Sequence, residues 1–196
     1  MNPPPVRILA ISGSLRAKSI NTTALTALQA LAPANVSVTL YAGLGTLPHF
    51  NPDLDVEPPP ATVATLRQAV VSADVLVLST PEYAHGVPGV LKNALDWLVS
   101  FEGFPNKPVA IINARPGAEF AVASLRETLA VMNARLLDAA SVTLPLTSNT
   151  PDVAALLKND AVRERLQAAL TALQAGLQHN ILHPPRRASR NMSPIK

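Results

Sequence analysis

Residues 75–97 read VLVLSTPEYAHGVPGVLKNALDW and carry the strongest structural signal of the sequence. The opening run, Val75 to Ser79, is continuously apolar, as is typical of a central parallel strand that is covered on both faces. The leucines that follow recur at helical spacing, and they are Leu91, Leu95 and Leu98. The stretch therefore predicts a strand, a loop shaped by proline and glycine, and a helix.

Four other aliphatic runs lie around this strand and alternate with helical patterns. The predicted strands are 6–12, 36–41, 75–79, 109–113 and about 140–146. The predicted helices begin at Asn21, as a possible N-cap, and after Pro88, and cover about 61–72, 121–132 and 151–177. The proline- and aspartate-rich stretch 44–60 is predicted to be an irregular loop.

This alternation predicts βαβ units and a parallel sheet with right-handed crossovers. We therefore expect an α/β protein with a flavodoxin-like three-layer sandwich, whose five-stranded parallel sheet has the order 2-1-3-4-5. Such a sheet binds ligands at the carboxyl ends of its first and third strands.

The composition indicates one domain and a separate tail. The 196 residues are 48% hydrophobic but only 4% aromatic, so an aliphatic core is expected. We place the domain at residues 1–178 and interpret residues 179–196 as a flexible basic tail. The tail has four basic residues and no acidic one, which leaves 12 basic and 13 acidic residues elsewhere. Because the positive charge is concentrated in the tail, we expect no nucleic-acid partner.

Residue types and segments that the sequence lacks limit the reactions the protein can catalyse and the cellular compartment we expect for it. The chain contains no cysteine, which excludes disulfides, a thiolate nucleophile and a cysteine-ligated metal. No apolar run approaches the roughly 20 residues that a membrane helix needs. Residues 1–5, MNPPP, show neither the basic n-region nor the apolar h-region of a signal peptide. We therefore expect a cytoplasmic protein with no bound metal and no membrane partner.

The loop after the first strand has the composition of an anion site. Residues 12–23 read SGSLRAKSINTT and combine hydroxyls, one arginine and an amide at a predicted helix N-terminus. Free N–H groups at such a terminus favour a phosphate, to which Arg16 could add a charge-assisted contact. The loop lacks the patterns G-x-x-x-x-G-K-[ST] and G-x-G-x-x-G, which disfavours ATP hydrolysis and the Rossmann NAD site. A polar loop that merely caps its helix remains the alternative.

The loop after the third strand has several interpretations when taken alone. Its backbone amides could face a planar ligand beside Tyr83. Equally, Pro88 could simply start a helix, Trp97 could belong to the core, and Lys92 and Asp96 could form a solvated ion pair.

Together the two loops resemble the NADPH-dependent FMN reductase family, which includes flavin, quinone, azo-dye and chromate reductases. The family pattern G-S-x-R-x-x-S-x-N is matched by Gly13, Ser14, Arg16, Ser19 and Asn21. The pattern P-E-Y-N…P-G-x-L-K-N-A-x-D-W is matched by Pro81, Glu82, Tyr83, Pro88, Gly89, Leu91, Lys92, Asn93, Ala94, Asp96 and Trp97. The element order extends the resemblance over about residues 6–177.

The resemblance implies bound FMN, NADPH or NADH as electron donor, and a small acceptor such as a quinone, azo compound, metal oxyanion or free flavin. The cofactor-binding residues that it implies are Ser14, Arg16, Ser19, Ile20, Asn21, Pro81, Glu82, Tyr83, Ala84, Asn113 and Arg115. Of these, Ser14, Arg16, Ser19 and Asn21 would hold the phosphate. No catalytic side chain is expected, because the cofactor carries the chemistry. The resemblance also implies a homodimer or homotetramer.

The sequence departs from the family pattern at three places. Ala84 replaces the usual asparagine after P-E-Y, Gly86 replaces a common serine, and residues 113–119 lack the paired glycines that many members have there. Arg115 could substitute by facing the N1–O2 edge of the flavin, and His85 could line the acceptor pocket. Two rivals therefore stay open: an electron-carrier protein, and a binding protein of the same fold that has lost useful flavin affinity.

Overall fold

The computed structural model describes residues 5–146 and 152–182. Within these residues the strands form one parallel sheet. Its strands are Val6–Ser12 (β1), Val36–Leu40 (β2), Val75–Ser79 (β3), Pro108–Asn113 (β4), Arg135–Leu136 (β5) and Val142–Thr143 (β6). The spatial order is β2-β1-β3-β4-β5, and β6 also pairs with β4. This confirms the predicted flavodoxin-like order.

The edge of the sheet differs from the prediction of one strand at 140–146. Two short strands, β5 and β6, pair with opposite ends of β4, and the turn Asp138–Ala140 separates them. This turn removes the backbone acceptor that a continuous strand would offer to β4. The Ser141 hydroxyl replaces it by accepting a 3.0 Å hydrogen bond from the backbone N–H of Ile111. The edge strand is therefore interrupted without loss of its hydrogen bond.

Within the described residues, six α-helices cover the sheet on both faces. They are Ile20–Ala30 (α1), Ala61–Ser72 (α2), Gly89–Val99 (α3), Glu119–Val131 (α4), Val153–Lys158 (α5) and Asp160–Leu182 (α6). Residues Val75 and Val77 of β3 pack with α1, α5 and α6, whereas Leu76 and Leu78 pack with α2, α3 and α4. All five residues of β3 are buried, as expected for a strand between two helical layers.

The C-terminal region was predicted as one helix over 151–177 and is two. Asn159 breaks the helical path between α5 and α6, with an extended ψ of 109°. Its side-chain oxygen then accepts a 3.2 Å hydrogen bond from the backbone N–H of Val162 and caps α6. Helix α6 continues to Leu182, and residues 183–196 of the predicted tail lie outside the described residues.

The loop over 44–60 is irregular, as predicted, and is tied to α2 and α3. It contains two single turns of 3-10 helix, Leu44–Thr46 and Pro52–Leu54. The indole N–H of Trp97, a fully buried residue, donates a 2.8 Å hydrogen bond to the Pro48 carbonyl. Within the described part of the chain, no helix is both long enough and apolar enough to cross a membrane.

Candidate functional site

The sheet register places the loops after β1 and β3, which carry the two family motifs, side by side. Ser12 at the end of β1 is the register partner of Ser79 at the end of β3, and the backbone N–H of Gly13 donates a 2.7 Å hydrogen bond to the Ser79 carbonyl. The loop that begins at Asn113 leaves β4 at the same edge. These three loops enclose a cavity of about 250 Å³ at the carboxyl ends of the strands.

Ten of the eleven residues predicted to bind a cofactor line this cavity. They are Ser14, Arg16, Ser19, Ile20, Asn21, Pro81, Glu82, Tyr83, Asn113 and Arg115. Ala84 does not line the cavity, because the chain turns away from it after Tyr83. Sequence reasoning missed three lining residues, Thr80, Gly117 and Ala118. For Thr80, the position directly after a buried strand was an available signal. Gly117 and Ala118 lie in the segment 113–119 that the family resemblance places near the flavin, but they were not singled out.

The cavity collects most of the buried polar side chains of the described structure. Six polar side chains are buried among the described residues, and five of them line this cavity: Ser14, Ser19, Asn21, Thr80 and Asn113. The sixth, Ser79, lies just behind it and donates a 2.9 Å hydrogen bond to the side-chain oxygen of Asn21. Buried polar groups are costly unless they have partners, so such a concentration marks a ligand site.

Helix α1 begins at this cavity, and its N-cap is Ser19 rather than the predicted Asn21. The Ser19 side chain accepts a hydrogen bond from the backbone N–H of Thr22, and its backbone is extended, as an N-cap requires. Asn21 lies two residues later, in the first turn of α1, and is 3% exposed; its side-chain oxygen accepts from Ser79. Its NH₂ group is thereby left to donate elsewhere.

The hydroxyls of the first loop are arranged to donate into the cavity. The Ser14 oxygen accepts a 3.3 Å hydrogen bond from the backbone N–H of Arg16, and the Ser19 oxygen accepts one of 3.4 Å from Thr22. Each oxygen is used as an acceptor, so each O–H group is available to donate. Two hydroxyls, the free N–H groups of α1 and the positive end of its dipole together suit an anion.

The charged side chains at the cavity fit the same class of ligand. Arg16 and Arg115 contribute positive charge to its lining. The carboxylate of Glu82 accepts a 2.9 Å hydrogen bond from the backbone N–H of Ala121, in the first turn of α4. Glu82 therefore satisfies a free backbone N–H group at the N-terminus of α4 and connects the loop after β3 to that helix.

The loop after β3 closes in a tight two-residue turn. Tyr83 and Gly86 exchange two backbone hydrogen bonds, of 3.1 Å and 3.0 Å. The two residues between them, Ala84 and His85, have φ values of 49° and 59°, in the left-handed region that is uncommon for residues other than glycine. The turn explains why Tyr83 faces the cavity whereas Ala84 does not.

The start of α4 forms the opposite wall. The backbone N–H of Gly117 donates a 2.9 Å hydrogen bond to the Glu119 carboxylate, which lowers the pKa of that carboxyl group. Gly117 itself has a φ of 91°, a conformation that favours glycine. Among the described residues, no group of histidine, cysteine, aspartate or glutamate side chains could hold a metal ion.

A parallel sheet of this order, with a polar cavity suited to a phosphate where its winding reverses, defines the flavodoxin-like class of proteins. The family model described as NADPH-dependent FMN reductase matches residues 6–149, which is most of the chain. The chain belongs to this family. It is accordingly an oxidoreductase enzyme, with FMN as its cofactor and NADPH or NADH as its electron donor.

Relatives over nearly the whole chain agree with this assignment. An NAD(P)H-dependent FMN reductase of Pseudomonas aeruginosa is 36% identical over 174 residues, covering 86% of this chain and 94% of the relative. An NADPH:quinone oxidoreductase of Arabidopsis thaliana is 32% identical over 180 residues, covering 88% and 92%. The solved structure of FerB, a flavoenzyme NAD(P)H:(acceptor) oxidoreductase of Paracoccus denitrificans, superposes with a TM-score of 0.67 at 25% identity, covering 87% and 98%.

Proposed function

We propose that the protein uses FMN, held in the cavity between β1, β3 and β4, to reduce small quinones with NAD(P)H. The observation that carries this proposal is the concentration of five buried polar side chains in one cavity at the reversal point of the sheet. Bound FMN would supply the chemistry of accepting hydride from a nicotinamide and delivering two electrons to the acceptor. The residues present fit the group, since hydroxyl, amide and guanidinium donors all converge there.

The phosphate end of the cofactor would lie at the N-terminus of α1. Ser14 and Ser19 would donate their hydroxyl hydrogens, and Asn21 would donate its NH₂ group, while Arg16 would add positive charge. The backbone N–H groups of Ile20 and Asn21 have no intrahelical partner and would complete the anion site.

The flavin end would lie between the loops after β3 and β4. Pro81, Glu82 and Tyr83 would bound one side, mainly through backbone groups, and residues from Asn113 to Ala118 would bound the other. Arg115 would place positive charge near the polar edge of the ring system, where it would stabilise negative charge on reduction. Ala84 would contribute only by shaping the turn.

The reaction we propose converts NAD(P)H, a proton and a quinone into NAD(P)⁺ and a hydroquinone. Quinones are favoured over azo compounds, metal oxyanions and free flavin because the Arabidopsis relative, at 32% identity over almost its full length, is described as an NADPH:quinone oxidoreductase. The broader term acceptor in the description of FerB is consistent with several substrates. The chain's own part is to bind and orient, since no side chain is assigned to proton transfer.

The phosphate assignment is tested by comparing FMN with riboflavin, which lacks the phosphate. Ser14→Ala should weaken FMN binding by about ten- to a hundredfold, because a hydrogen bond to a charged group contributes about 1.5–3 kcal/mol. The same change should leave riboflavin binding nearly unaltered. Ser124→Ala, at an exposed serine of α4, is the matched control. Equal losses for both flavins would contradict the placement of the phosphate in this loop.

The activity is tested by following NAD(P)H oxidation with the FMN-loaded protein and a quinone, without any partner protein. Quinone-dependent oxidation supports a reductase. Bound FMN that neither NADPH nor NADH can reduce would instead favour an electron carrier. A protein that cannot be loaded with FMN at all would favour a binding protein that has lost its flavin.

We also propose assembly as a homodimer or homotetramer. Large apolar side chains stand exposed near the C-terminal ends of two helices on the same side of the sheet, with Val99 of α3 62% exposed and Val131 of α4 75% exposed. The proposal rests on the family resemblance, and these exposed side chains offer apolar area for another copy to bury. Sedimentation equilibrium measures the state directly, and a monomer at micromolar concentration would contradict the proposal.

A further inference from the structure

Two aromatic side chains stack beside the cavity and line no part of its wall. The rings of His85 and Phe120 have their centroids 4.3 Å apart and are inclined by 20°. Each follows a cavity-lining residue by two positions, since Tyr83 and Ala118 line the wall. The stack therefore bridges the turn after β3 and the start of α4, next to the part of the cavity assigned to the flavin ring.

Both members of the stack are held by backbone features rather than by a core. His85 occupies the second central position of the Tyr83–Gly86 turn, with a φ of 59°. Phe120 lies in the first turn of α4, whose neighbouring residue Ala121 donates its backbone N–H to the Glu82 carboxylate. An unfavourable left-handed conformation at a cavity is typical of functional positions.

The stack covers one face of each ring and leaves much of both side chains exposed. Phe120 is 59% exposed and Tyr83 is 51% exposed, and His85 is exposed as well. The Glu82 carboxylate already accepts a hydrogen bond from the backbone N–H of Ala121 at the N-terminus of α4. The stack is therefore not needed to begin that helix. An exposed aromatic surface at the mouth of a cavity suits a planar ligand that stacks.

The stack also carries a hydrogen-bond donor. An imidazole has at least one N–H in either protonation state, whereas a phenylalanine ring has none. An aromatic face with a donor at its edge is complementary to a planar ring that carries a carbonyl oxygen. A quinone has this chemistry.

We propose that His85 and Phe120 form an acceptor-binding platform that selects planar aromatic acceptors over compact, non-aromatic ones. This inference rests on the proposed quinone reductase activity and names the residues that recognise the acceptor. Phe120 supplies stacking area, and His85 supplies both area and an N–H donor to a carbonyl oxygen.

The test compares menadione, a naphthoquinone, with ferricyanide, which offers no ring to stack. Phe120→Ala and His85→Ala should each lower the ratio of kcat/KM for menadione to that for ferricyanide by about two- to tenfold, the loss expected when one aromatic stacking contact is removed. Phe120→Tyr keeps the ring and should retain the wild-type ratio. Val71→Ala, at an exposed valine of α2, is the matched control.

A binding measurement separates this inference from the activity on which it rests. Calorimetric titration of the oxidised, FMN-loaded protein with menadione should show weaker binding in Phe120→Ala, whether or not the enzyme turns over. A wild-type protein that binds menadione through this stack but does not reduce it would contradict the proposed function alone.

Three results would overturn the platform itself. The first is an unchanged menadione affinity in both alanine variants. The second is a loss of FMN affinity as large as the loss of menadione affinity, which would make the pair part of the cofactor site. The third is a change of oligomeric state in Phe120→Ala, which would make this surface a subunit interface.

Discussion

At the scale of single residues, Gly13 is the position where the site leaves least space. A Cβ atom there would lie 2.7 Å from the Thr80 hydroxyl oxygen and 3.1 Å from the Thr80 Cβ. Thr80 is 2% exposed and lines the cavity, so it has no room to move away. The glycine is therefore needed for the close approach of two loops, independently of any special φ angle.

We expect Gly13→Ala to lower the free energy of unfolding by about 1–3 kcal/mol, the usual cost of an overpacked site. It should also weaken FMN binding, because Thr80 is pushed toward the ligand. Gly89→Ala is the control, since a Cβ at that position would meet nothing within 4 Å. Chemical denaturation and flavin titration measure the two effects, and equal behaviour of the two variants would contradict the packing argument.

The turn at Ala84 offers a second prediction at this scale. A left-handed backbone costs an alanine about 1–2 kcal/mol, and a glycine almost nothing. Ala84→Gly should therefore raise the free energy of unfolding by about 1 kcal/mol. Ala64→Gly, on the exposed side of α2, should lower it by a similar amount. Urea denaturation of both variants is the measurement, and destabilisation by both would show that the turn is not strained.

The kind of site in the first loop could be predicted from its residue types, but the role of each residue in it could not. The composition of the first loop indicated an anion site, yet Asn21 was predicted as the helix cap and Ser19 occupies that position. Serine and asparagine are almost equally good N-caps, so the local sequence does not choose between them. The choice is made by tertiary contact, because Ser79 on β3 holds the Asn21 side chain inside the fold.

At the scale of secondary-structure elements, a partly buried ion pair fastens the 44–60 loop to two helices. Arg67 of α2 donates to the Asp55 carboxylate at 2.7 Å and to the Trp97 carbonyl at 2.8 Å. Both charged side chains are about one-eighth exposed. The Ser100 hydroxyl also donates to Asp55, and this hydrogen bond, with that of Arg67, lowers the pKa of Asp55 below its ordinary 3.8.

The sign of this pKa shift fixes how stability depends on pH. A carboxyl group with a lower pKa in the folded state stabilises the protein above its unfolded pKa, and that stabilisation is lost as the pH falls through the folded value. Asp55→Asn should therefore lower the free energy of unfolding at pH 7 by about 2–3 kcal/mol. The difference from wild type should shrink as the pH falls below about 4.

The matched control for this pair is Asp53→Asn, which alters an exposed carboxylate of the same loop. Thermal or urea denaturation between neutral and acidic pH measures both variants. A pH-independent difference between Asp55→Asn and wild type would show that the charge of Asp55 is not what fastens the loop.

Interior elements were predicted almost to the residue, whereas the edge was not. The strands Val6–Ser12 and Val75–Ser79 have the predicted bounds because burial on both faces imposes a continuous apolar pattern. The helix Ala61–Ser72 has them because its buried face recurs at helical spacing, as Val63, Leu66 and Val70. At the edge, β5 and β6 have two residues each, too few for a periodic pattern. The break at Asn159 is likewise invisible to periodicity, because α5 and α6 contribute to the same side of the core.

At the scale of the whole molecule, the place of the site followed from the winding of the sheet. Right-handed crossovers with this alternation of elements put the loops after β1 and β3 together, as the Ser12–Ser79 register shows. The contribution of the loop after β4 could not be predicted in detail. The hydrogen bond from Ala121 to Glu82 joins residues 39 positions apart and depends on where α4 begins, which no local pattern specifies.

Ligand binding should stabilise the whole fold, because the cavity joins three loops from separate strands. With FMN at about 100 times its Kd, mass action adds about 2.7 kcal/mol to the free energy of unfolding. For a chain of this size that corresponds to a rise in Tm of roughly 5–10 °C. Riboflavin at the same concentration should give a smaller rise, and an equal rise would contradict a phosphate site at α1.

The most direct measurement is anaerobic stopped-flow of the FMN-loaded protein at the flavin absorbance band. Mixing with NADPH or NADH should bleach the band rapidly, and a second mixing with menadione should restore it in a single turnover. A band that neither donor bleaches, or that menadione does not restore, would contradict the conclusion that this cavity carries electrons from NAD(P)H to a quinone.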